Sequence, residues 1–512
     1  MKTLKKLQLS AMLLCDFYKI AHRPMYPKKT ETVYSTWTPR ASRMKDVTGV
    51  VVAGHQAFSK EFLVNFFEEH FFSRPKAEVT AEYARVIKYT LGVQNPEVSH
   101  IEALHDLGYL PLLIKALPEG TVVPLRTPTL TIQNTDPRFF WLTNYIETLA
   151  SCELWPFYTS ATIAHEYRKL LNDASMKTVG NTDFVMFQGH DFSMRGMSGL
   201  FAAMKSGMGH LLSFVGTDTI PSIQGAEFYY NANIESELVG TSIPATEHSI
   251  QCAYGDDMVY FKAMINDVHP NGFVSIVSDG TDFWDVIGRV VPALKADILA
   301  RTGGPVGDRV VIRPDSGDPV QIICGDPSAP VGSLQHKGAI EALWDIFGGT
   351  ITEKGFKVLD SHIGLIYGDA ITLYRAKEIV NKLAEKGFAS INAVFGIGSF
   401  TYQYNTRDTF GFALKSTLCQ IDGEEKQIFK NPKTDDGTKK SQKGKVVVYH
   451  DPVTKEIKWK DGFGLEDSLY LEARGSHGMR IDLDLLEPIF LNGKIVKEET
   501  FAQIRSRLAE DK

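Results

Sequence analysis

Val310-Val311-Ile312-Arg313-Pro314-Asp315-Ser316-Gly317 is the stretch on which the fold turns. Three β-branched apolar residues are too few for a helix and read as a strand buried on both faces. Where the run stops, an arginine and a proline-containing turn closed by glycine begin. The same rhythm extends to either side. Apolar runs precede it at 184–187, 212–215, 241–243 and 273–277, and follow it at 362–366 and 391–395. Helix signals come after several of them. Beyond Asp191, Met197, Leu200, Phe201, Met204, Met208 and Leu211 recur on one face at a 3.6-residue period. Asp369 is placed to cap a helix carrying Leu373, Ala376, Ile379, Val380 and Leu383, which Gly387 would end. Pro292 is expected to divide the helix after Asp282. Strands that alternate with helices imply a parallel sheet. About seven such units predict an α/β fold, an irregular (β/α) barrel, with a doubly wound open sheet as the alternative.

Outside this region the chain changes character. Residues 31–38 alternate like a strand, 121–133 are rich in Val, Thr and Leu, and 139–171 are helical in pattern. After Arg407, residues 410–421, 445–450 and 456–460 resemble antiparallel strands. A turn-rich stretch among them carries Lys426, Lys430, Lys433, Lys439, Lys440, Lys443 and Lys445. The expected organisation is an N-terminal α+β segment (1–180), a barrel (181–405) and a C-terminal segment (406–512) that completes a flanking α+β domain with the first.

The chain has 512 residues, 43% apolar and 23% charged, the balance of a soluble globular protein. Lys and Arg total 55 against 61 Asp and Glu, a formal charge of −6, which argues against nucleic acid as partner. Cys15, Cys152, Cys252, Cys324 and Cys419 lie far apart without metal-site or redox spacing and read as reduced thiols. The basic N-terminus runs straight into Cys15-Asp16-Phe17-Tyr18-Lys19 without a signal-peptide cleavage pattern. No window has the roughly 18 apolar residues that span a bilayer. A cytoplasmic protein with no membrane contact is expected.

Polar residues gather where the apolar runs end: His190-Asp191-Phe192, Thr217-Asp218, Glu247-His248, Ser278-Asp279, Arg313 to Gly317, Gly368-Asp369 and Gly396-Ile397-Gly398-Ser399. In a parallel barrel these ends converge on one face, where active sites lie. Each alone has a bland reading: an Asp after a strand is commonly a helix cap, and a lone His is commonly structural. Arg313 offers a planar fork of donors for phosphate, and Asp315 could hold ribose hydroxyls. The loop 396–399 could point N–H groups at a phosphate. It lacks the third glycine of a dinucleotide fingerprint, and there is no Walker A pattern.

With Asp16-Phe17-Tyr18-Lys19…His22, Gly216-Thr217-Asp218-Thr219, Ser242-Ile243-Pro244-Ala245…Glu247-His248-Ser249 and Thr406-Arg407-Asp408, these motifs resemble the nicotinamide phosphoribosyltransferases. These belong to the type II, nicotinate phosphoribosyltransferase-like family. The resemblance runs from about residue 10 to nearly the C-terminus. It implies transfer of the phosphoribosyl group of phosphoribosyl pyrophosphate to nicotinamide, in a homodimer with shared active sites. It further implies that Phe192 and the partner's Tyr18 stack on the pyridine ring, and that Asp218 accepts a hydrogen bond from the carboxamide. Arg195 and Arg313 would contact phosphate or the amide oxygen; Asp315 and Asp369, with Gly368, would hold the ribose. Gly396 and Gly398 would cradle the 5′-phosphate. Asp16 and Ser275 also fall at substrate-binding positions. Arg40, Arg407, Lys415 and Lys430 would bind pyrophosphate or the phosphates of ATP. His248 would be a transient phosphohistidine coupling ATP hydrolysis to synthesis, oriented by Glu247 or Asp279. Magnesium would arrive with the phosphates rather than in a dedicated protein cage. The pattern departs from the family at Ala370 and Thr372, where glycine and aspartate are expected.

The rival readings are a nicotinate phosphoribosyltransferase on the same fold, a metal-dependent barrel hydrolase, and a dimeric binding protein that has lost catalysis. Against the hydrolase stands the lack of a His-x-His strand or a His-Glu-x-x-His helix.

Overall fold

A computed structural model describes residues 8–430, 434, 441–472 and 480–511. The chain divides into two compact units, one of Met1–Thr159, Phe228–Asn231 and Thr406–Asp511, the other of Ser160–Glu227 and Ala232–Asn405. The first boundary therefore falls at 159/160 and not at 180. It lies inside the helix Glu147–Thr178, which runs unbroken through Pro156, so no loop composition marks it.

The first unit is built on a seven-stranded sheet. Thr30–Thr38 pairs antiparallel with Ala413–Ile421 on one side and with Leu130–Asn134 on the other. Leu112–Ala116 and Glu487–Leu491 continue the sheet, so three N-terminal strands lie side by side between C-terminal strands on both flanks. Trp37, fully buried, stacks on Phe412 from the C-terminal segment with ring centroids 5.1 Å apart. Lys445–His450 pairs with Ile457–Phe463 as a separate hairpin. Of the basic run, Lys433, Lys439 and Lys440 lie outside the described residues.

The second unit is the α/β unit. Its strands are β1 (Gly189–Asp191), β2 (Gly216–Thr217), β3 (Phe273–Val277), β4 (Arg309–Arg313), β5 (Ile363–Tyr367) and β6 (Ala393–Ile397). They form one six-stranded parallel sheet in the order β2-β1-β6-β5-β4-β3. Residues 241–246 link its two edges, Thr241 bridging to Gly216 and Ala245 to Ser275. A seventh strand was expected at 241–243; single bridges form instead, because Pro244 has no N–H to donate and only its carbonyl accepts, from Ser275 at 2.8 Å. The sheet is thus curled and irregular.

The run 184–187 is also not a strand: Val185–Gln188 is a helical turn and β1 starts at Gly189. Glycine is required there, since a Cβ would lie 2.9 Å from the ring of Phe214. The helix α1 (Leu200–Leu211) buries Ala203, Met208 and Leu211, but Leu200 and Phe201 are 58% and 59% exposed, against the expected apolar face. After β2 comes α2 (Ile220–Tyr230) and, beyond the 241–246 segment, α3 (His248–Tyr254). Past Asp282 the chain breaks into short helical segments, Val291–Ala293 carrying Pro292. The helix α4 (Pro319–Cys324) is capped by Asp318. The helix α5 (Leu373–Glu385) buries Ala376, Ile379, Val380 and Leu383, as its period requires. Its cap is the Thr372 hydroxyl, which accepts from the Arg375 N–H at 3.2 Å, and not Asp369. Among the described residues no helix is long and apolar enough to cross a membrane.

Candidate active site

Every barrel strand except β3 sends its C-terminal end into one cleft of about 360 Å³. Its walls are Phe192, Met194, Arg195, Asp218, Thr219, Arg313, Asp315, Gly368, Asp369, Ala370, Gly398, Ser399 and Phe400. The ends are laced together by backbone: the Phe192 N–H donates to the Ile397 carbonyl at 3.0 Å and the Asp218 N–H to the Asp191 carbonyl at 3.0 Å. A polar cleft of this size at this face suits a phosphorylated small molecule.

Phe192 owes its position to two glycines. A Cβ at Gly396 would come within 2.4 Å of Phe192 Cδ2 and 2.7 Å of Gly368 Cα; one at Gly368 would lie 3.1 Å from the same ring. Gly396 is a buried residue of β6 that makes room for the aromatic ring and does not line the cleft, contrary to the expected phosphate contact. Gly398 does line it, and a Cβ there would meet nothing within 4 Å. Ala370 takes a left-handed φ of 50°, which accounts for the glycine expected at that position.

The Asp218 carboxylate faces this ring side of the cleft. It does not cap α2. Its Oδ1 accepts from His190 Nε2 at 2.9 Å and from Ser242 Oγ at 2.6 Å. Burial alone would raise its pKa, but the His190 and Ser242 hydrogen bonds and the Arg313 charge outweigh burial and hold it below the usual value. An ionised acceptor thus sits beside an aromatic face.

On the opposite wall, Arg313 donates through Nη2 to the Thr246 carbonyl, while its buried Nε has no partner among the described residues. Burial and the charges of Asp279 and Asp369 push the Asp315 carboxyl up, against the pull of Arg313. The Asp315 N–H donates to Asp279 Oδ2 at 3.0 Å, and Asp279 Oδ1 meets His248 Nε2 at 3.0 Å. The Asp279 side chain is 3% exposed and the His248 ring 48%. A buried carboxylate therefore orients an accessible imidazole, the arrangement that makes a histidine nucleophile. Glu247 is not the orienter: its carboxylate accepts from Ser249. Ser275 lies buried in β3, off the cleft, with its hydroxyl unpartnered among the described residues. No group of three or more His, Cys, Asp or Glu side chains converges as a metal site among the described residues.

The remaining expected residues belong to the first unit. Asp16 Oδ2 accepts from Thr148 Oγ1 at 2.9 Å, and Tyr18 is 58% exposed with Lys19 Nζ 5.1 Å from its ring centroid. Lys415 lies 3.5 Å from Glu147, which also binds Lys19. Arg40 donates to the Gly411 carbonyl at 2.8 Å, and Arg407 opens the turn Arg407–Thr409 in the same loop. Lys430 is exposed and pairs through its backbone with Ser441. These are two basic groupings within that unit, and none of them lines the cleft.

Met194, Phe400, His190 and Ser242 contribute without having been assigned a role from sequence. The last two stood in recognised motifs, but only their contact with Asp218, 28 and 24 residues away, marks them out.

The profile of the nicotinate phosphoribosyltransferase (NAPRTase) family matches residues 187–467. A nicotinamide phosphoribosyltransferase of Acinetobacter baylyi is 49% identical over 505 residues, 97% of this chain and 96% of that protein. One from Mycoplasma pneumoniae is 34% identical, covering 83% of this chain and 93% of its own. The crystal structure of nicotinate-nucleotide pyrophosphorylase from Pyrococcus furiosus superposes with a TM-score of 0.58 at 16% identity, over 99% of this chain and 98% of that one. Human nicotinic acid phosphoribosyltransferase gives 0.52 at 15%, over 97% and 93%. At such identity the two structures bear on fold alone.

Proposed function

Because this chain belongs to the nicotinate phosphoribosyltransferase family, we propose that it transfers the phosphoribosyl group of phosphoribosyl pyrophosphate to nicotinamide, yielding nicotinamide mononucleotide and pyrophosphate for NAD salvage. The observation that carries the choice of base is Asp218, an ionised acceptor pinned by His190 and Ser242 beside the Phe192 ring. A pyridine carboxamide offers an aromatic face to Phe192 and an N–H to that carboxylate. Nicotinate would bring a second negative charge and no donor.

In the reaction the pyridine nitrogen forms a bond to C1 of the ribose as the C1–O bond to pyrophosphate breaks, through an oxocarbenium-like transition state. The protein's task is to hold the ring in line and to receive charge on the departing pyrophosphate. Arg313, with an unspent buried donor, and the exposed Arg195 suit the phosphates. Asp315 and Asp369 suit the ribose hydroxyls, and the Gly398–Ser399 backbone suits the 5′-phosphate. Mg²⁺ would come with the phosphates rather than to a protein cage, beside Asp315, whose carboxyl is pushed up by burial and by the charges of Asp279 and Asp369. When bound it would neutralise the leaving pyrophosphate. ATP as a coupling co-substrate is part of the proposal, with His248 as the phosphorylated group and Asp279 its orienter. So are the homodimer, across which the family resemblance places Tyr18 and, in part, the phosphate-binding Arg40, Arg407, Lys415 and Lys430, and a cytoplasmic site of action.

The deciding assay offers phosphoribosyl pyrophosphate with nicotinamide or nicotinate, with and without ATP, and identifies the mononucleotide formed. Nicotinamide mononucleotide is expected in both ATP conditions, with more in the presence of ATP. Exclusive use of nicotinate would move the chain to the sister activity.

Gly396→Ala tests the stacking ring. The added methyl cannot coexist with Phe192 in its present place, and overpacking of this kind costs about 1–3 kcal/mol. The nicotinamide KM is expected to rise about tenfold while the KM for phosphoribosyl pyrophosphate stays near its original value. An unchanged nicotinamide KM in a folded variant would release Phe192 from the ring site.

A further inference from the structure

His190 does not itself line the cleft, yet it touches two side chains that do, Asp218 and Phe192. Strands β1 and β2 pair His190 with Gly216 in register, which puts Asp218 just beyond the imidazole. Gly216 is what lets the ring lie flat against β2: a Cβ there would stand 2.7 Å from His190 Nδ1. The side chain is only 12% exposed, and its ring centroid is 4.9 Å from that of Phe192.

A carboxylate accepts and cannot donate. The 2.9 Å contact therefore puts a proton on His190 Nε2, and the 2.6 Å contact makes Ser242 the second donor. Both donors fall on Oδ1. Among the described residues no donor is paired with Oδ2, so the oxygen left over is available to a ligand N–H. Two donors on one oxygen fix the rotation of the carboxylate, which alone has a broad torsional preference. The same imidazole backs the stacking ring.

We propose that His190 is a positioning residue that locks the Asp218 carboxylate with one oxygen presented to the cleft, and thereby sets the preference for a ring bearing an uncharged N–H donor. The proposal rests on nicotinamide being the substrate and deepens that reading. His190 does not touch the reacting atoms; it acts through Asp218. The charged and titratable groups facing the pair are Arg313 and Asp315 across the cleft, and Asp191 and His210 beneath.

Three variants test it: His190→Leu, which fills the space without a donor; His190→Gln, whose amide N–H can reach where Nε2 does; and Ser242→Ala. Initial rates with nicotinamide and with nicotinate, the KM for phosphoribosyl pyrophosphate, and the pH profile of kcat/KM for nicotinamide are measured for each. For His190→Leu the nicotinamide KM is expected to rise about tenfold or more with kcat little changed. The amide-to-acid ratio should fall by a similar factor, and the acid limb of the profile should move to higher pH, because a donor that favoured the ionised carboxylate is gone. His190→Gln is expected to recover most of the ratio, and Ser242→Ala to fall between. A merely structural role would not move the acid limb. Retention of the ratio and the acid limb in His190→Leu overturns the proposal, as does a glutamine variant no better than leucine. Wild-type protein that uses nicotinate alone, or neither base, overturns the functional reading itself and this inference with it, whatever the variants do.

Discussion

Replacing His248 with alanine is expected to abolish the incorporation of acid-labile phosphate from ATP while leaving synthesis of the mononucleotide without ATP measurable. The reason is the division of labour around Asp279. One ring nitrogen of His248 is held 3.0 Å from Asp279 Oδ1, so the other keeps its lone pair, and the ring is accessible enough to meet a γ-phosphoryl group. In that step the nitrogen–phosphorus bond forms as ADP leaves. None of the groups that align the pyridine ring, Phe192 and Asp218, depends on the phosphorylated imidazole. The alanine variant should therefore lose coupling and keep the uncoupled reaction. Asp279→Asn retains the shape but removes the charge, and is expected to cut phosphate incorporation on the order of 100-fold, the usual scale for a positioned acid–base partner. Phosphate incorporation undiminished in His248→Ala, followed with labelled ATP, removes the residue from this role.

The second large effect is on substrate choice. Asp218→Ser is expected to lower kcat/KM for nicotinamide and raise it for nicotinate, shifting the ratio roughly a hundredfold. Losing a charge-assisted hydrogen bond and relieving repulsion of a like charge together amount to about 3 kcal/mol. Serine removes the charge and can donate to a carboxylate. The competing view, that Asp218 serves only to start α2, has no helix N–H donating to its carboxylate among the described residues; Oδ1 is taken by His190 and Ser242 and Oδ2 is left to the cleft. Because its pKa is lowered, the amide preference should hold at neutral pH and weaken only as pH falls through that depressed value. A well-folded serine variant with an unchanged ratio would place the discrimination elsewhere.

Much of this is legible in the sequence. The strands β3 to β6 announce themselves because parallel strands covered on both faces must be apolar throughout, and the polar residues that follow each mark the functional end. Arg313, Asp315 and Asp369 all stand at such ends and line the cleft, though the residues alone read Asp369 as a helix cap. Legibility failed where glycine does the work. β1 and β2 start at Gly189 and Gly216, chosen for close approach to Phe214 and His190, so the apolar weight sits just before each strand and mislocates it. Gly396 looked like a phosphate loop and proved to be the floor under Phe192. Asp369 and Thr372 both suit a helix cap, and only the backbone decides that the threonine takes it and leaves the aspartate to the cleft. Between Glu247 and Asp279 the sequence offers no preference. The choice depends on two strand ends meeting in space, as does every contact of His190.

The flanking of N-terminal strands by C-terminal ones in the first unit has a consequence for synthesis on the ribosome. Thr30–Thr38 can pair with Leu130–Asn134 early, but its other neighbour, Ala413–Ile421, emerges only after the whole barrel has been made. Until then one flank of a buried central strand is a bare row of N–H and C=O groups, open to pairing with any nascent chain nearby. Closing a loop that long also comes late in folding, because its entropy is lost before the contact rewards it. The inserted barrel, whose strands lie between residues 189 and 397, has no such wait. A nascent chain stalled short of residue 413 would carry all six barrel strands, while the sheet of the first unit still lacked Ala413–Ile421.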